Sequence, residues 1–290
     1  MDLSIIMLSY NTKELTLQAL GSVLKSLQQS GFSYELLVLD NGSEDGSAQA
    51  IKAKFGQQIR LFPQKQNLGF GRGNNYLVKK TKGKYLLFLN SDIKALDDAL
   101  IKLFHFFKSD QNSYAFVGSK LLNPDLTSQP SCAPFYTLPI VFGALFLKGD
   151  YWGLTRSSPN KTISTDWVSG ACLMCRKADF LKLKGFDENI FLYMEEVDLL
   201  YRAKQQNYPT GFYPKAKLIH YGSASSQDKK EPILNVYRGL MYFYQKHYSR
   251  LANLTLRFLL KTKAAVGYTL GIISNNQYLK TTYGQAWQMV

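Results

Sequence analysis

Short apolar runs alternate with longer amphipathic stretches over the first half of the chain. Leu3 to Ser9 (LSIIMLS) reads as a buried strand that stops at Tyr10-Asn11. Leu15, Ala19, Leu20, Val23, Leu24 and Leu27 then recur at helical spacing, closing near Gly31. Tyr34 to Leu39 is a second apolar strand, ended by Asp40-Asn41-Gly42-Ser43. Ala48, Ile51 and Phe55 predict another helix, followed by a short strand at Ile59 to Leu61. Strands alternating with helices predict βαβ units and an α/β fold with a mostly parallel central sheet and flanking helices.

The run Tyr85-Leu86-Leu87-Phe88-Leu89 ends abruptly in Asn90-Ser91-Asp92. A helical pattern then begins at Lys94 and continues through Leu96, Ala99, Leu100, Leu103, Phe104 and Phe107, with Asp97 and Asp98 suited to its first turn. A buried strand thus delivers Asp92 to the carboxyl edge of a sheet, where open α/β sheets bind ligands. One carboxylate there suits a hard divalent cation shared with substrate phosphates; Ser-Asp before a helix is equally an N-cap. Asp40 ends its strand in the same way, ready to meet a nucleotide's base or ribose, or to form an Asx turn before Gly42.

Asn67-Leu68-Gly69-Phe70-Gly71-Arg72-Gly73-Asn74-Asn75 contains a glycine pattern of dinucleotide type, but no long strand feeds it and its third glycine is misplaced. The segment predicts either backbone open to a diphosphate, with Arg72 as an anion contact, or a loop with Asn74 and Asn75 starting a helix that ends near Lys80. Phe116-Val117-Gly118 reads as a strand. Ala133 to Leu147, apolar and punctuated by Pro134, Pro139 and Gly143, predicts a buried loop or an acceptor- or lipid-facing segment rather than a regular helix. Asp166-Trp167-Val168-Ser169-Gly170-Ala171 leads into a strand through Met174.

A helix starting near Glu195 would carry Glu195, Glu196 and Asp198 in its first turn, where the macrodipole favours carboxylates. Asp198 and Arg202 are spaced to pair at i, i+4, which leaves Glu195 and Glu196 for chemistry or for capping. His220 follows one more apolar strand; its imidazole is structural unless Asp92 holds a metal, whose shell it would complete.

The net charge of +14 changes the picture by requiring an anionic partner, without choosing among phosphorylated substrates, nucleic acid and acidic membrane. At 290 residues, the expectation is a catalytic domain over 1–225 and a basic, amphipathic helical extension over 226–290. The composition changes past Pro232: Leu251 to Ile273 mixes apolar residues with Arg257, Lys261 and Lys263, a pattern for helices lying on the domain, on a bilayer or on a second copy as a homodimer. Cys172 and Cys175 have the spacing of half a zinc site, but no second pair answers them, so they are expected in the core. No signal peptide opens the chain and no run reaches the ~18 apolar residues of a spanning helix, giving an expectation of a cytoplasmic protein, peripheral at the inner face of the membrane.

Taken in order, Ser9-Tyr10-Asn11, Asp40-Asn41-Gly42-Ser43, Asn67-Leu68-Gly69-Phe70 with Asn74-Asn75, Asn90-Ser91-Asp92, Trp167-Val168-Ser169-Gly170-Ala171, Phe186-Asp187-Glu188 through Glu195-Glu196 to Arg202, and His220 resemble the family 2 glycosyltransferases, in particular their bacterial rhamnosyltransferase-like branch. The resemblance covers about the first 225 residues. It implies a GT-A fold, a nucleotide-diphosphate sugar donor (dTDP-rhamnose or a UDP-sugar), a Mg²⁺ or Mn²⁺ ion, and inverting transfer to a hydroxyl of a glycan or lipid-linked glycan in cell-surface polysaccharide synthesis. It places Asp40 on the nucleotide base, flanked by Ser9, Tyr10 and Asn11. Asn67, Gly69, Arg72 and Asn74 fall on the donor side, Asn74 where many relatives carry Arg. Asn90 and Ser91 meet ribose or phosphate; Asn90 stands where the metal motif often begins with Asp. Asp92 is the expected metal ligand, with His220 joining it on the metal or diphosphate. Trp167, Gly170 and Ala171 border the sugar or acceptor. Glu195-Glu196 matches a Glu-Asp pair whose second acid is the base, so Glu196 is expected to act, with Glu195 as the alternative.

Two rivals fit less well. A sugar-phosphate nucleotidyltransferase would open with a glycine-rich basic loop where this chain has Ser9-Tyr10-Asn11-Thr12-Lys13. A nucleic-acid-binding module would carry a dense basic helix, and this chain puts carboxylates at strand ends instead, so no nucleic-acid partner is expected.

Overall fold

The computed structural model describes residues 1–109, 113–222 and 230–290. The expected domain boundary at 225/226 lies outside the described residues. In chain order the elements are β1 (Leu3–Ser9), α1 (Lys13–Ser26), β2 (Tyr34–Asp40), α2 (Ser47–Phe55), β3 (Arg60–Pro63), α3 (Phe70–Val78), β4 (Tyr85–Asn90), β5 (Ile93–Ala95), α4 (Ala99–Lys108), β6 (Phe116–Leu122), β7 (Ser128–Gln129), β8 (Cys132–Ala133), α5 (Leu138–Phe146), β9 (Ile163–Thr165), β10 (Trp167–Val168), β11 (Cys172–Arg176), α6 (Lys177–Lys182), α7 (Glu195–Gln205), β12 (Thr210–His220), α8 (Lys230–His247), α9 (Arg250–Ile273) and α10 (Gln277–Met289).

The main sheet runs β3-β2-β1-β4-β11-β6-β12-β5. Its first four strands are parallel, as the alternating pattern predicts. The second half corrects the expectation of a mostly parallel sheet. β11 lies antiparallel to both β4 and β6, because the turn at 169–171 sends the chain straight back from the carboxyl end of β4. β12 is parallel to β6 and antiparallel to β5.

The strands are buried on both faces, so their inward residues divide by the period of two. Ile5, Met7, Leu36, Val38, Leu87 and Leu89 pack under α1, α2 and α4. Ile6, Leu37, Leu39 and Phe88 face the other core, with α3, α6 and α7. Cys172 and Cys175 fall on opposite faces and are fully buried, so they are core side chains and cannot share an ion.

Three further expectations change. Ile93–Ala95 is an edge strand paired to β12, not the first turn of a helix; α4 begins only at Ala99, behind Asp98 as N-cap. Helix α3 starts at Phe70, so Gly71, Arg72 and Gly73 are helical. Leu138–Phe146 is a regular helix, because Pro139 sits at the N-terminal positions where its missing N–H costs nothing.

Helices α8 to α10 are not a loose appendage. Leu234, Tyr237, Phe243 and Tyr244 of α8, Leu256 and Leu260 of α9, and Ala286 of α10 belong to the same buried cluster as Phe88, Leu173 and Leu199. Among the described residues, no helix is long and apolar enough to cross a membrane.

The joint between α7 and α8 is electrostatic as well as apolar. Asp198 is fully buried; its Oδ2 accepts from Arg202 Nε at 2.8 Å, and its Oδ1 accepts from Lys246 Nζ and from His247 Nε2, both at 2.7 Å. Arg202 also donates to the carbonyls of Leu183 and Gly185, which pins the preceding loop. Burial pushes the Asp198 carboxyl up, but the His247, Arg202 and Lys246 contacts outweigh it and hold the group below the usual carboxylate range. A carboxyl depressed by folding contributes stability above its unfolded pKa and loses it as pH falls. Asp198→Asn should therefore cost about 3–5 kcal/mol in a neutral urea melt, the range for breaking a buried pair. The gap to wild type should close on acidification below the ordinary carboxylate range; a gap that stays constant with pH would show that packing, not charge, makes the joint.

Candidate active site

The carboxyl ends of β1, β2 and β4 form one wall of a cleft of about 1000 Å³. Tyr10, Asn41, Asn67, Gly69, Asn90, Ser91 and Asp92 line that wall. Local hydrogen bonds fix the loops. The Asn11 amide donates to Ser43 Oγ at 3.0 Å, and Asn11 Oδ1 accepts from the Glu44 amide at 2.9 Å. Asn41 Nδ2 donates to Asn67 Oδ1 at 2.8 Å, and Asn41 Oδ1 accepts from the Leu68 amide at 2.8 Å. Gly69 has φ of +78°, and a Cβ there would stand 2.7 Å from the Phe191 carbonyl, so only glycine fits.

Asp40 sits behind this wall, 3% exposed, with Oδ1 lacking any hydrogen-bond partner among the described residues. Burial raises its carboxyl pKa against the opposing Ser43 hydrogen bonds. An orphaned buried acceptor is costly, and it is the group a ligand N–H would satisfy. Ser9 is buried just inside the wall, its Oγ on Thr16 Oγ1 at 2.9 Å. Ser91 Oγ lies 3.1 Å from Thr12 Oγ1.

Two residues expected on the donor side lie elsewhere. Arg72 points away to the loop before α7, where Nε donates to the Glu188 carbonyl at 3.1 Å. Asn74 is buried in α3, donating from Nδ2 to the Phe70 carbonyl at 3.0 Å. Both displacements follow from the early start of α3, which turns these side chains off the cleft. Asn75 instead clamps α3 to that same loop, accepting from the Phe186 amide and donating to the Phe186 carbonyl.

The register of β12 against β5 sets His220 opposite Ile93, next to the Ser91-Asp92 turn. His220 Nε2 is 3.4 Å from Asp92 Oδ1 and 3.4 Å from Asn90 Nδ2. Gln129 supplies the missing half of this arrangement. Its Nε2 donates to Asn123 Oδ1 and to the His220 carbonyl, so its Oε1 faces His220 Nδ1 at 2.7 Å. Nδ1 then carries the proton, and the Nε2 lone pair points at a carboxylate. An imidazole nitrogen beside a carboxylate is a donor set that fits a divalent ion. Among the described residues no group of three or more His, Cys, Asp or Glu side chains converges, so an ion held there would take its remaining ligands from substrate phosphate and water.

The opposite wall is the start of α7. Tyr193 and Met194 precede it with φ of +67° and +77°, a left-handed pair costing about 1–2 kcal/mol each. Helix α8 braces this turn: a Cβ on Gly239 would stand 2.7 Å from Met194 Cγ. The turn aims Glu195 and Glu196 into the cleft that Asp92 and His220 line from the other side. Glu196 is half-buried, and its Oε1 accepts weakly from the Gly170 amide at 3.5 Å. Burial raises its carboxyl, while backbone amides and the nearby Arg156 charge pull the other way. Glu195 is buried and pushed well up, first by desolvation and then by Glu196. Both carboxyls are therefore raised together, Glu195 the more strongly because it is the more deeply buried. Trp167, Gly170 and Ala171 line the same cleft, and a Cβ on Gly170 would stand 3.7 Å from Glu196 Cβ.

Sequence reasoning missed Gln129, Tyr136, Arg156 and Lys263, which also line the cleft. Gln129 lies on a two-residue strand with no periodic signal. The other three come from segments that packing alone brings to the site.

The sheet, the acid at the end of β4 and the acidic pair across the cleft define a transferase of the GT-A fold. The mannosyltransferase PcManGT from Pyrobaculum calidifontis, solved with GDP-Man and Mn²⁺, matches 99% of this chain and 79% of its own at a TM-score of 0.62 and 12% identity. The sequence model of glycosyl transferase family 2 matches residues 4–175, and the chain belongs to that family. It is similar to the N-acetylglucosaminyl-diphospho-decaprenol L-rhamnosyltransferase of Mycobacterium tuberculosis H37Rv, 27% identical over 214 residues (66% of this chain, 67% of that protein). It is also similar to rhamnosyltransferase WbbL of Escherichia coli K12, 29% identical over 162 residues (53% of this chain, 61% of that protein).

A carboxyl whose pKa is raised by folding favours the folded state at low pH and loses that contribution as pH rises above the unfolded value. Glu195→Gln should therefore raise the thermal midpoint, with a gain that grows as pH rises above the ordinary carboxylate range. A midpoint lowered at every pH would mean that Glu195 is an ionised, partnered side chain.

Proposed function

We propose that this glycosyltransferase moves rhamnose or a similar hexose from a nucleoside-diphosphate sugar to a hydroxyl of a lipid-linked glycan, with inversion and with a divalent ion. The observation that carries the reading is that Asp92, His220, Glu195 and Glu196, which come from distant elements, all line one cleft. Asp40 takes the imide N–H of uracil or thymine on its orphaned Oδ1, which favours dTDP- and UDP-sugars. Tyr10, Asn41 and Asn67 flank the nucleoside, and Asn90 and Ser91 the ribose and diphosphate. Asp92 Oδ1 and His220 Nε2 hold the Mg²⁺ or Mn²⁺ ion, whose charge offsets that developing on the departing diphosphate. An imidazole beside a carboxylate favours Mn²⁺ over Mg²⁺, the harder ion.

Glu196 is the base. Its carboxylate removes the proton of the acceptor hydroxyl as that oxygen bonds to the anomeric carbon and the bond to the diphosphate oxygen breaks on the opposite face. A raised carboxyl is a stronger base than a solvated one. Glu195 lies deeper beside it.

The acceptor's lipid calls for a membrane. Leu251, Leu254 and Phe258 stand on one face of α9 and are 74%, 56% and 70% exposed, and the loop after α5 exposes Tyr151, Trp152 and Leu154. With the net charge of +14, this apolar face fits an anionic bilayer at the inner side of the cell membrane.

Glu196→Gln should lower turnover by about 10²–10⁴-fold and leave donor binding intact, whereas Asp92→Ala should abolish Mn²⁺-dependent protection of the protein by nucleotide sugar. Wild-type turnover in Glu196→Gln would move the base to Glu195, and full activity in chelator would end the metal-dependent reading. Leu254→Glu with Phe258→Glu should release the protein from phosphatidylglycerol vesicles without changing its circular dichroism. Retained vesicle binding refutes the bilayer face, and a shift from dimer to monomer on gel filtration assigns it to a second copy instead.

A further inference from the structure

The acceptor half of the cleft contains a cation that neither the donor site nor the fold accounts for. Arg156 lies over the ring of Trp167, its guanidinium carbon 4.9 Å from the centroid. Trp167 cannot yield, because its Nε1 donates to the Pro134 carbonyl at 2.9 Å and Tyr136 stacks on it at 5.7 Å. The guanidinium is thus held flat, yet its Nε is buried without a hydrogen-bond partner among the described residues. An arginine with structural duty alone would use its fork on carbonyls or carboxylates, as Arg202 does. Arg156 instead lies over the ring of a residue that lines the cleft with it, its guanidinium donors at the cleft wall.

Its place tells what those donors meet. The Arg156 charge reaches Glu196, opposing in part the burial that raises that carboxyl. In an inverting displacement, base and departing diphosphate stand on opposite faces of the sugar, so a cation beside the base is on the acceptor's side. Lys263 of α9 reaches the same cleft, donating one hydrogen bond of 2.7 Å to the Leu145 carbonyl and keeping two further N–H donors. Between these cations and the exposed face of α9 the wall becomes apolar, with Leu145, Ile233 and Val236. A polar sugar, then an anion, then a hydrocarbon chain is the order of groups such a channel accommodates.

We propose that Arg156, assisted by Lys263, forms an anion subsite for a phosphoryl group at the reducing end of the acceptor, joining the sugar under attack to its lipid. The inference rests on the glycosyltransferase reading of the cleft and adds to it a residue-level determinant of acceptor choice. Arg156 provides the planar, bidentate contact and Lys263 a point charge, so the two substitutions are not equivalent.

The test compares two acceptors carrying the same N-acetylglucosamine, a short prenyl diphosphate and a neutral octyl glycoside, with dTDP-rhamnose as donor. Arg156→Gln should raise KM for the diphosphate acceptor at least tenfold and leave KM for the neutral glycoside and for the donor unchanged; Arg156→Lys should recover part of the loss, and Lys263→Met should give a smaller effect of the same kind. Equal losses of kcat on both acceptors, with a displaced acid limb of the pH profile, would overturn the proposal by making Arg156 a positioning residue for Glu196. A raised donor KM would overturn it by placing Arg156 on the donor diphosphate. Binding of geranyl diphosphate against geraniol in chelator, measured by calorimetry, decides the matter without turnover: the wild type should prefer the diphosphate, and Arg156→Gln should lose that preference. A wild type that prefers the diphosphate yet consumes no nucleotide sugar would refute the transferase reading while leaving the subsite; one that turns over both acceptors alike would refute the subsite alone.

Discussion

The site depends on one backbone register. β12 pairs antiparallel with the three-residue β5, putting His220 opposite Ile93, and the Tyr221 amide donates to the Asp92 carbonyl at 2.9 Å. These bonds bring together residues on either side of most of the fold. A slip of one residue would turn the His220 side chain to the other face of the sheet, and the Asp92–His220 pair would vanish. Gln129 then fixes the ring within that register, through bonds to Asn123 and to the His220 backbone. The donor side is rigid because its parts belong to the sheet.

The acidic side is held differently. Glu195 and Glu196 stand at the first turn of a helix that follows two left-handed residues, so α7 must be anchored elsewhere to keep them in place. Asp198 does this from the same turn, through Arg202 to the loop at Leu183 and Gly185 and through Lys246 and His247 to α8. The strained turn and the buried like charges are tolerated because the surrounding contacts over-determine them. Helix α8 therefore braces the acidic turn as well as lining the cleft, and the C-terminal helices share the core of the rest of the chain.

The two halves of the cleft differ in character. One half is made of strand ends, side-chain amides and the Asp92 carboxylate, groups suited to a nucleotide and its phosphates. The other half is made of aromatic rings, Arg156 and Lys263, and an apolar wall from α8 and α9. Such a division suits a reaction between one hydrophilic and one amphipathic substrate. It also explains the charge of the chain better than nucleic acid does, since carboxylates occupy the places where a nucleic-acid backbone would need cations.

What the sequence determined by itself was the order of strands and helices and the acids at their ends. β1, β2 and β4 are legible because a strand buried on both faces must be a continuous apolar run, and Asp40, Asp92 and the Glu195-Glu196 pair are legible because each interrupts such a pattern at a boundary. The antiparallel insertion of β11, the strand at Ile93–Ala95 and the helix at Leu138–Phe146 were not, since short elements take their form from their neighbours rather than from period or propensity. Arg72 and Asn74 looked like donor contacts until the early start of α3 turned them away, a matter of helix phase. Gln129, Arg156 and Lys263 carry no local signal, because their roles arise only when segments distant along the chain pack around the same space. Chemistry that sits on one element could be read from residue order; chemistry shared between elements was decided by tertiary packing.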